Sequence, residues 1–221
     1  MVYASAVNGQ VLNFSVSGML WNRSLVMQDQ ETKSLWSHIL GRAMRGQLKG
    51  TELELIPAKV VTWGAWKNQH PETTVLNMRR TTDDYTKNFY KHPEDFVYGW
   101  ISSGNAYSVS FQFLLDNPIL NINQVNWPLL ITFDPESTAV NMFSRRLDDK
   151  ILQFVVISEK LMKDKETESI WDRNTGISVK GLLKGKALKH KAGIVSFKAA
   201  WNEFHPDNVV IIQQNVEIDN Q

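Results

Sequence analysis

Residues 31–50 read ETKSLWSHILGRAMRGQLKG, and residues 166–185 read ETESIWDRNTGISVKGLLKG, 135 positions later and in step without a gap. Working outward, the match runs over residues 27–76 against 162–211. It pairs Asp29 with Asp164, Glu31 with Glu166, Thr32 with Thr167, Ser34 with Ser169 and Trp36 with Trp171. Gly41, Gly46 and Gly50 meet Gly176, Gly181 and Gly185, while Leu53, Trp66, His70 and Pro71 meet Leu188, Trp201, His205 and Pro206. Glycines, tryptophans and a His-Pro step held in one register mark an internal duplication. Two copies are too few for a solenoid and predict two homologous lobes.

Within each copy, VLNFSV, LVMQD, SLWSHI and TELELIP are short, partly alternating runs bounded by Gly, Asn, Asp or Pro, the pattern of strands joined by turns. Asp29 to Thr32 reads as a hairpin turn, and the duplicated glycines fall where turns need positive φ or close backbone approach. VTWGAWKNQHP then places a helix over 62–70, capped by Thr62 and stopped by Pro71; VSFKAAWNEFHP repeats it over 197–205 with Ser196 as the cap. A further strand follows each helix, in TTVLNM and NVVIIQQNVEI. Between the copies lie four more predicted strands, FVYGWIS, AYSVSFQF, PLLITFD and AVNMFSRR, leading into KILQFVVI, the counterpart of QVLNFSV once the register shifts upstream. In that register Met1 corresponds to about Asn141 or Met142. The expected fold is therefore α+β and mostly β: two lobes, each with one short helix. The first lobe, residues 1–80, is expected to be truncated at its start; 81–95 is a linker and 96–221 the complete second lobe.

The 221 residues carry 24 basic and 23 acidic side chains, a balance that offers nucleic acid or an anionic membrane no broad footprint. No apolar run is long enough to span a bilayer, and MVYASAVNGQVLNF lacks a basic n-region followed by an apolar one, so a cytoplasmic location is expected if Met1 is the true start. The chain has no Cys, which excludes disulfides, thiolate metal sites and thiol nucleophiles.

VSGMLWNRSLVMQDQETKSLWSHILGRAMRGQLKGTELELIP from Val16, followed by TWGAWKNQHPETTVL from Thr62, resembles a prokaryotic family known as domain of unknown function 3179. Ser17, Gly18, Leu20, Asn22, Leu25, Val26, Met27, Asp29, Thr32, Ser34, Leu35, Trp36 and Ser37 match its dense block; Arg23, Gln28, Gln30 and His38 depart from it. Similar proteins begin with a strand-rich segment bearing a Cys-Pro-Leu type motif and a His-Glu pair. This sequence starts downstream of both, so no metal or redox chemistry is carried over. The resemblance implies a fold and no established reaction.

Asp29 and Glu31, mirrored by Asp164 and Glu166, can be read as paired carboxylates for acid-base work or a hard cation, against the plainer reading of Asp as a turn residue and Glu as a solvated one. Trp66 and His70, like Trp201 and His205, lie four apart on a helix and share a face. They can stack on and hydrogen-bond a ring-shaped ligand, or simply pack and cap. Trp36, Trp66, Trp171 and Trp201 fall at duplicated positions and read as core. Trp21, Trp63, Trp100 and Trp127 have no Trp counterpart and are the candidates for surface binding. The five His lack metal-ligand spacing, and no nucleotide or serine-hydrolase motif appears. KGLLKGKALKHK from Lys180 reads as edge-protecting lysines. No catalytic residue, metal or cofactor is assigned. The sequence favours a non-catalytic binding or assembly component, with another protein chain, a second copy or a segment upstream of Met1 completing the first lobe. The alternative is an enzyme or a small-ligand or glycan receptor with a site in the groove between lobes.

Overall fold

The computed structural model describes residues 1–75, 92–124, 127–212 and 217–218. The duplication appears in it as two four-stranded antiparallel meanders. The first runs Phe14–Trp21, Ser24–Asp29, Leu35–Ser37 and Arg42–Arg45; the second runs Phe154–Val156, Leu161–Asp164, Ile170–Asp172 and Ser178–Lys180. Their registers agree: Met27 faces Trp36 as Met162 faces Trp171, and each third strand carries an irregularity immediately before its Trp. Upstream the offset becomes 140. Val2–Tyr3 pairs with Leu55–Ile56 in the register by which Met142 and Phe143 pair with Lys191 and His190, which sets Met1 opposite Asn141. Ala6–Val7 and Gln10–Val11 likewise form the ladder made later by Arg146–Leu147 and Lys150–Ile151.

The cores correspond side chain by side chain. Val7, Leu12, Trp36, Ala43 and Leu53 pack with Tyr3, Phe14, Met27 and Leu48 in the first copy. Phe143, Leu152, Phe154, Met162, Trp171 and Leu188, joined by Leu147 and Leu183, do so in the second. Phe14 meets Trp36 edge-on at 5.4 Å and 82°, and Phe154 meets Trp171 at 5.7 Å and 85°. Burying a side chain of this size contributes about 1.5–3 kcal/mol, so eight matched positions explain why a duplicated sequence keeps a duplicated fold.

The chain divides into two compact units. One gathers Met1–Ala58, Val97–Val109 and Ala192–Val210. Beside the first meander it holds an antiparallel hairpin, Phe96–Ser102 and Asn105–Ser110, flanked by Ile194–Phe197 on one side and Val209–Ile211 on the other. The helix Lys198–Phe204 joins these two flanking strands. Its Trp201 is fully buried against Gly99, where a Cβ would lie 2.5 Å from the indole; Val97 and Ile194 complete the cluster with Met1, Leu55 and Ala106. The other unit comprises Lys59–Phe96, Ser110–Lys191 and Ile211–Gln221. It contains the second meander and a sheet ordered His190–Lys191, Ala139–Ser144, Leu129–Asp134, Ile119–Gln124, Glu217–Ile218. Leu129, Leu130 and Ile131 are consecutive and completely buried, as a strand covered on both faces requires.

Among the described residues, three α-helices occur, Trp63–Gln69 (α1), Phe111–Asp116 (α2) and Lys198–Phe204 (α3). Both expected helices are present, and α2 is additional: AYSVSFQF reads as one strand, but Ser110 accepts a hydrogen bond from the Phe113 amide and turns the chain into a helix. The strand Ile119–Gln124 was also not expected. Thr62 caps α1 through its side chain, accepting from Ala65 N. Ser196 does not cap α3, because the cap position falls on Phe197, whose apolar side chain supplies no such bond. Of TTVLNM, Thr73–Val75 lie outside strands and the remainder falls beyond the described residues, as does 81–91 of the linker. No helix among the described residues is long and apolar enough to cross a membrane.

Candidate functional site

The duplicated acidic residues are built into the meanders. Asp29 is fully buried; its Oδ2 accepts from Trp36 Nε1 at 2.8 Å, and its Oδ1 accepts from Thr32 N at 2.6 Å and Thr32 Oγ1 at 2.8 Å. Asp164 makes the same bonds to Trp171 and Thr167. The two hydroxyls of each Thr-x-Ser step are hydrogen-bonded to each other, and the serine oxygen accepts from the amide of Leu48 or Leu183. Gly46 and Gly181, with φ near +100°, let the chain pass so close that a Cβ would collide with Ser34 or Ser169. Burial raises the Asp29 pKa, but the donors from Trp36 and Thr32 outweigh it and hold the carboxyl below its ordinary value. Glu31 accepts from the Asn13 amide and side chain, and Glu166 from the Gln153 amide, tying the turn to the preceding strand. The D-x-E-T-x-S-x-W pattern is thus a folding motif whose carboxylates already have their partners.

The two Trp-x-x-x-His steps have one geometry and opposite exposure. Indole and imidazole centroids lie 4.1 Å apart for Trp66 and His70, and 4.2 Å apart for Trp201 and His205. Each His amide closes its helix by bonding the Trp carbonyl. Trp66 Nε1 donates to Thr73 Oγ1 at 3.0 Å, and Trp201 Nε1 to Asn208 Oδ1 at 2.8 Å, seven residues on in both cases. Trp201 has no exposed surface, whereas Trp66 is 39% exposed and Trp63, one turn earlier, 52%. The expectation that all duplicated tryptophans are core therefore fails at Trp66. It fails in the other direction at Trp100, which is buried beside Tyr107 at 5.7 Å although it has no Trp counterpart; its Nε1 finds no partner among the described residues. Trp21 is exposed and meets Phe204 edge-on at 4.9 Å, while Trp127 carries the Lys191 ammonium 4.3 Å from its ring.

The exposed face of α1 borders polar groups that sequence reasoning did not single out. Lys59, Trp66, Gln69, Ser137 and Asn174 line a dent of about 10 Å³, room for no more than a water. Lys59 donates to the Asn174 carbonyl at 2.6 Å, and burial lowers its pKa against the opposing pull of Asp172. A cleft of about 270 Å³ elsewhere in that unit is lined by Ile119, Asn121, Gln153, Phe154, Val156 and Lys165. Asn121 is spent at its floor, donating to Phe154 O and accepting from Phe154 N. Two buried arginines were also missed. Arg145 donates to the carbonyls of Leu129, Leu152 and Ile122, and Arg173 to those of Ser158, Glu159, Pro118 and Phe133. Nothing in the charge pattern distinguishes them from surface cations. No group of three or more His, Asp or Glu among the described residues is placed to hold a metal ion.

A family model described as "Protein of unknown function (DUF3179)" matches the chain twice, over residues 1–98 and 88–218. No curated protein and no solved structure matches it.

Proposed function

The chain belongs to the DUF3179 family over nearly its whole length, and from that premise we propose that it is a non-catalytic binding or assembly component that engages another protein. One observation carries the reading: the duplicated residues able to do chemistry are consumed by the fold, while α1 presents Trp63 and Trp66 to solvent where the equivalent Trp201 is buried. Exposed tryptophans one helical turn apart form an apolar surface of the kind that marks an interaction site. A second such surface lies on the Phe14–Trp21 strand. Its hairpin is five residues longer than its counterpart, since the offset is 140 before it and 135 after, and the longer hairpin carries the exposed Met19, Leu20 and Trp21. The test is isolation of the protein from its native source with mass measurement of the purified species. A stoichiometric complex with one other protein, lost in Trp63→Ser/Trp66→Ser, is expected.

The aromatic pair next to Lys59 and Gln69 also favours a second reading, a flat receptor for a small ligand or glycan. A thermal-shift panel of sugars and small acids separates the two. Stabilisation by one such compound, abolished in Trp66→Ala, together with a native species of monomer mass, would replace the first reading by the second.

A further inference from the structure

The cleft of about 270 Å³ in the unit that contains the second meander lies along the outer edge of the strand Phe154–Val156. Antiparallel pairing turns the backbone groups of alternate residues toward the neighbouring strand. Gln153 O accepts from Lys165 N at 2.9 Å, and Ile157 N donates to Leu161 O at 3.2 Å. Residues 153, 155 and 157 therefore face the strand Leu161–Asp164, while Phe154 and Val156 turn their N–H and C=O groups away from it. Phe154 finds its partners in the Asn121 side chain, at 2.8 Å in both directions. Val156 is 47% exposed and meets no such side chain among the described residues, which leaves its backbone groups at the cleft.

The charge of the cleft comes from one group. Lys165 lines it beside Gln153, and among the described residues its ammonium makes no ion pair or hydrogen bond, whereas Lys163 pairs with Glu168 at 3.3 Å. No Asp or Glu is among the lining residues, and Glu166 is held by the Gln153 amide at 2.8 Å. The duplication supplies an internal control. At offsets of 140 and 135 the first copy has Asn13, Phe14, Ser15, Val16 and Gln30 where the second has Gln153, Phe154, Val155, Val156 and Lys165. The core Phe is kept and the cation is replaced by a neutral amide, so the meander folds without a charge at this position.

We propose that this cleft binds a small monocarboxylate with a short branched apolar tail. The carboxylate is taken by Lys165 and the Gln153 side-chain amide, and the tail lies against Ile119, Val155 and Val156. An apolar wall with a few placed polar groups is the usual make-up of a small-ligand site. One ammonium beside one neutral amide matches a single negative charge; a phosphate dianion would bring excess charge against the apolar wall, and a neutral ligand would desolvate Lys165 without pairing it. The site shares no residue with the aromatic pair on α1, so the inference goes beyond the assembly reading and does not depend on it.

The probe is isocaproate, titrated into the whole protein at neutral pH and followed by backbone amide chemical shifts. Saturable shifts at Val155, Val156 and Lys165 are expected, with a dissociation constant of about 1 mM or below. Lys165→Gln, which copies the side chain of the first repeat, should weaken binding about tenfold, and Lys165→Arg should retain it. The primary amide of the same acid and inorganic phosphate should each bind at least about tenfold more weakly than isocaproate. Trp66→Ala should leave the titration unchanged. Absence of saturation at those amides, equal binding of the primary amide or of phosphate, or indifference to Lys165→Gln would each overturn the proposal. Shifts centred on Trp63 and Trp66 and abolished in Trp66→Ala would overturn it as well, by assigning the acid to the aromatic receptor of the second reading.

Discussion

The pair of Asp and Trp at seven-residue spacing concentrates the energetics of each meander in a single buried bond. Replacing Trp36 or Trp171 by Phe keeps most of the apolar contact but removes the N–H from a buried carboxylate, and is expected to cost about 1–3 kcal/mol. Alanine adds a cavity and is expected to cost about 3–5 kcal/mol. Urea midpoints of the four variants decide this, and a negligible loss for Phe would mean that water replaces the indole donor. The histidines give a second residue-scale prediction. Burial lowers the pKa of His38, His190 and His205, helped at His190 by Lys59 and at His38 by the amino terminus. With folded pKa values below the unfolded value of about 6.5, their contribution is present above that pH and is lost as pH falls through the depressed values. The urea midpoint should therefore decline between about pH 7.5 and 5.5. Asp29 adds a further decline below about pH 4, where its carboxylate is protonated in the unfolded chain first. Asp29→Asn should flatten that lower limb alone.

At the scale of elements, the turn after each fourth strand separates backbone strain from steric contact. Gly50 and Gly185 have φ of +90° and +85° with open space around the missing Cβ, so Gly50→Ala should cost only the left-handed backbone term, about 1–2 kcal/mol. Gly46 and Gly181 have similar φ, but a Cβ there would lie 2.7 Å from the Cα of Ser34 or Ser169, an atom that cannot rotate away. Gly46→Ala is expected to cost at least about 1 kcal/mol more than Gly50→Ala, measured by thermal or urea denaturation. Equal losses would show that the Leu35–Ser37 strand yields easily. The meanders were legible from sequence because their strands are local and the glycines, Asp turns and tryptophans recur at fixed offsets. Less legible was α2, since Ser110 breaks an alternating run without any Gly or Pro to announce it. The Ile119–Gln124 strand escaped because Asn121 and Asn123 hide its apolar face, Asn121 being used to stitch Phe154 rather than to face water. Exposure of Trp66 could not be read at all. Its local sequence equals that of Trp201, and burial depends on a hairpin that is far from either helix in the chain.

For the whole molecule, the repeats and the compact units divide the chain differently. The unit containing the first meander also takes Val97–Val109 and Ala192–Val210, so the α3 of one copy is packed with the meander of the other. The first meander keeps its own core, since Val7, Leu12, Trp36, Ala43 and Leu53 all precede residue 58. The cluster around Trp201 does not, because Met1 and Leu55 lean on Val97, Ile194 and Trp201 from the first copy. Cutting between the copies, into residues 1–80 and 96–221, should therefore affect the pieces unequally. Fragment 1–80 is expected to keep Trp36 shielded from quenchers, with its donor bond to Asp29 intact. In fragment 96–221 the amides of α3 should exchange about tenfold or more faster than in the intact chain, because part of the cover over Trp201 has been removed. Adding fragment 1–80 should restore the slow exchange, and Leu55→Ser in that fragment should weaken the rescue. If α3 exchanges equally slowly in fragment 96–221 alone, the second copy is an independent domain and the cross-packing of Met1 and Leu55 contributes little to its stability. If rescue succeeds, the Trp201 cluster of the second copy depends on Met1 and Leu55 of the first for its full stability, while the first meander keeps a core of its own.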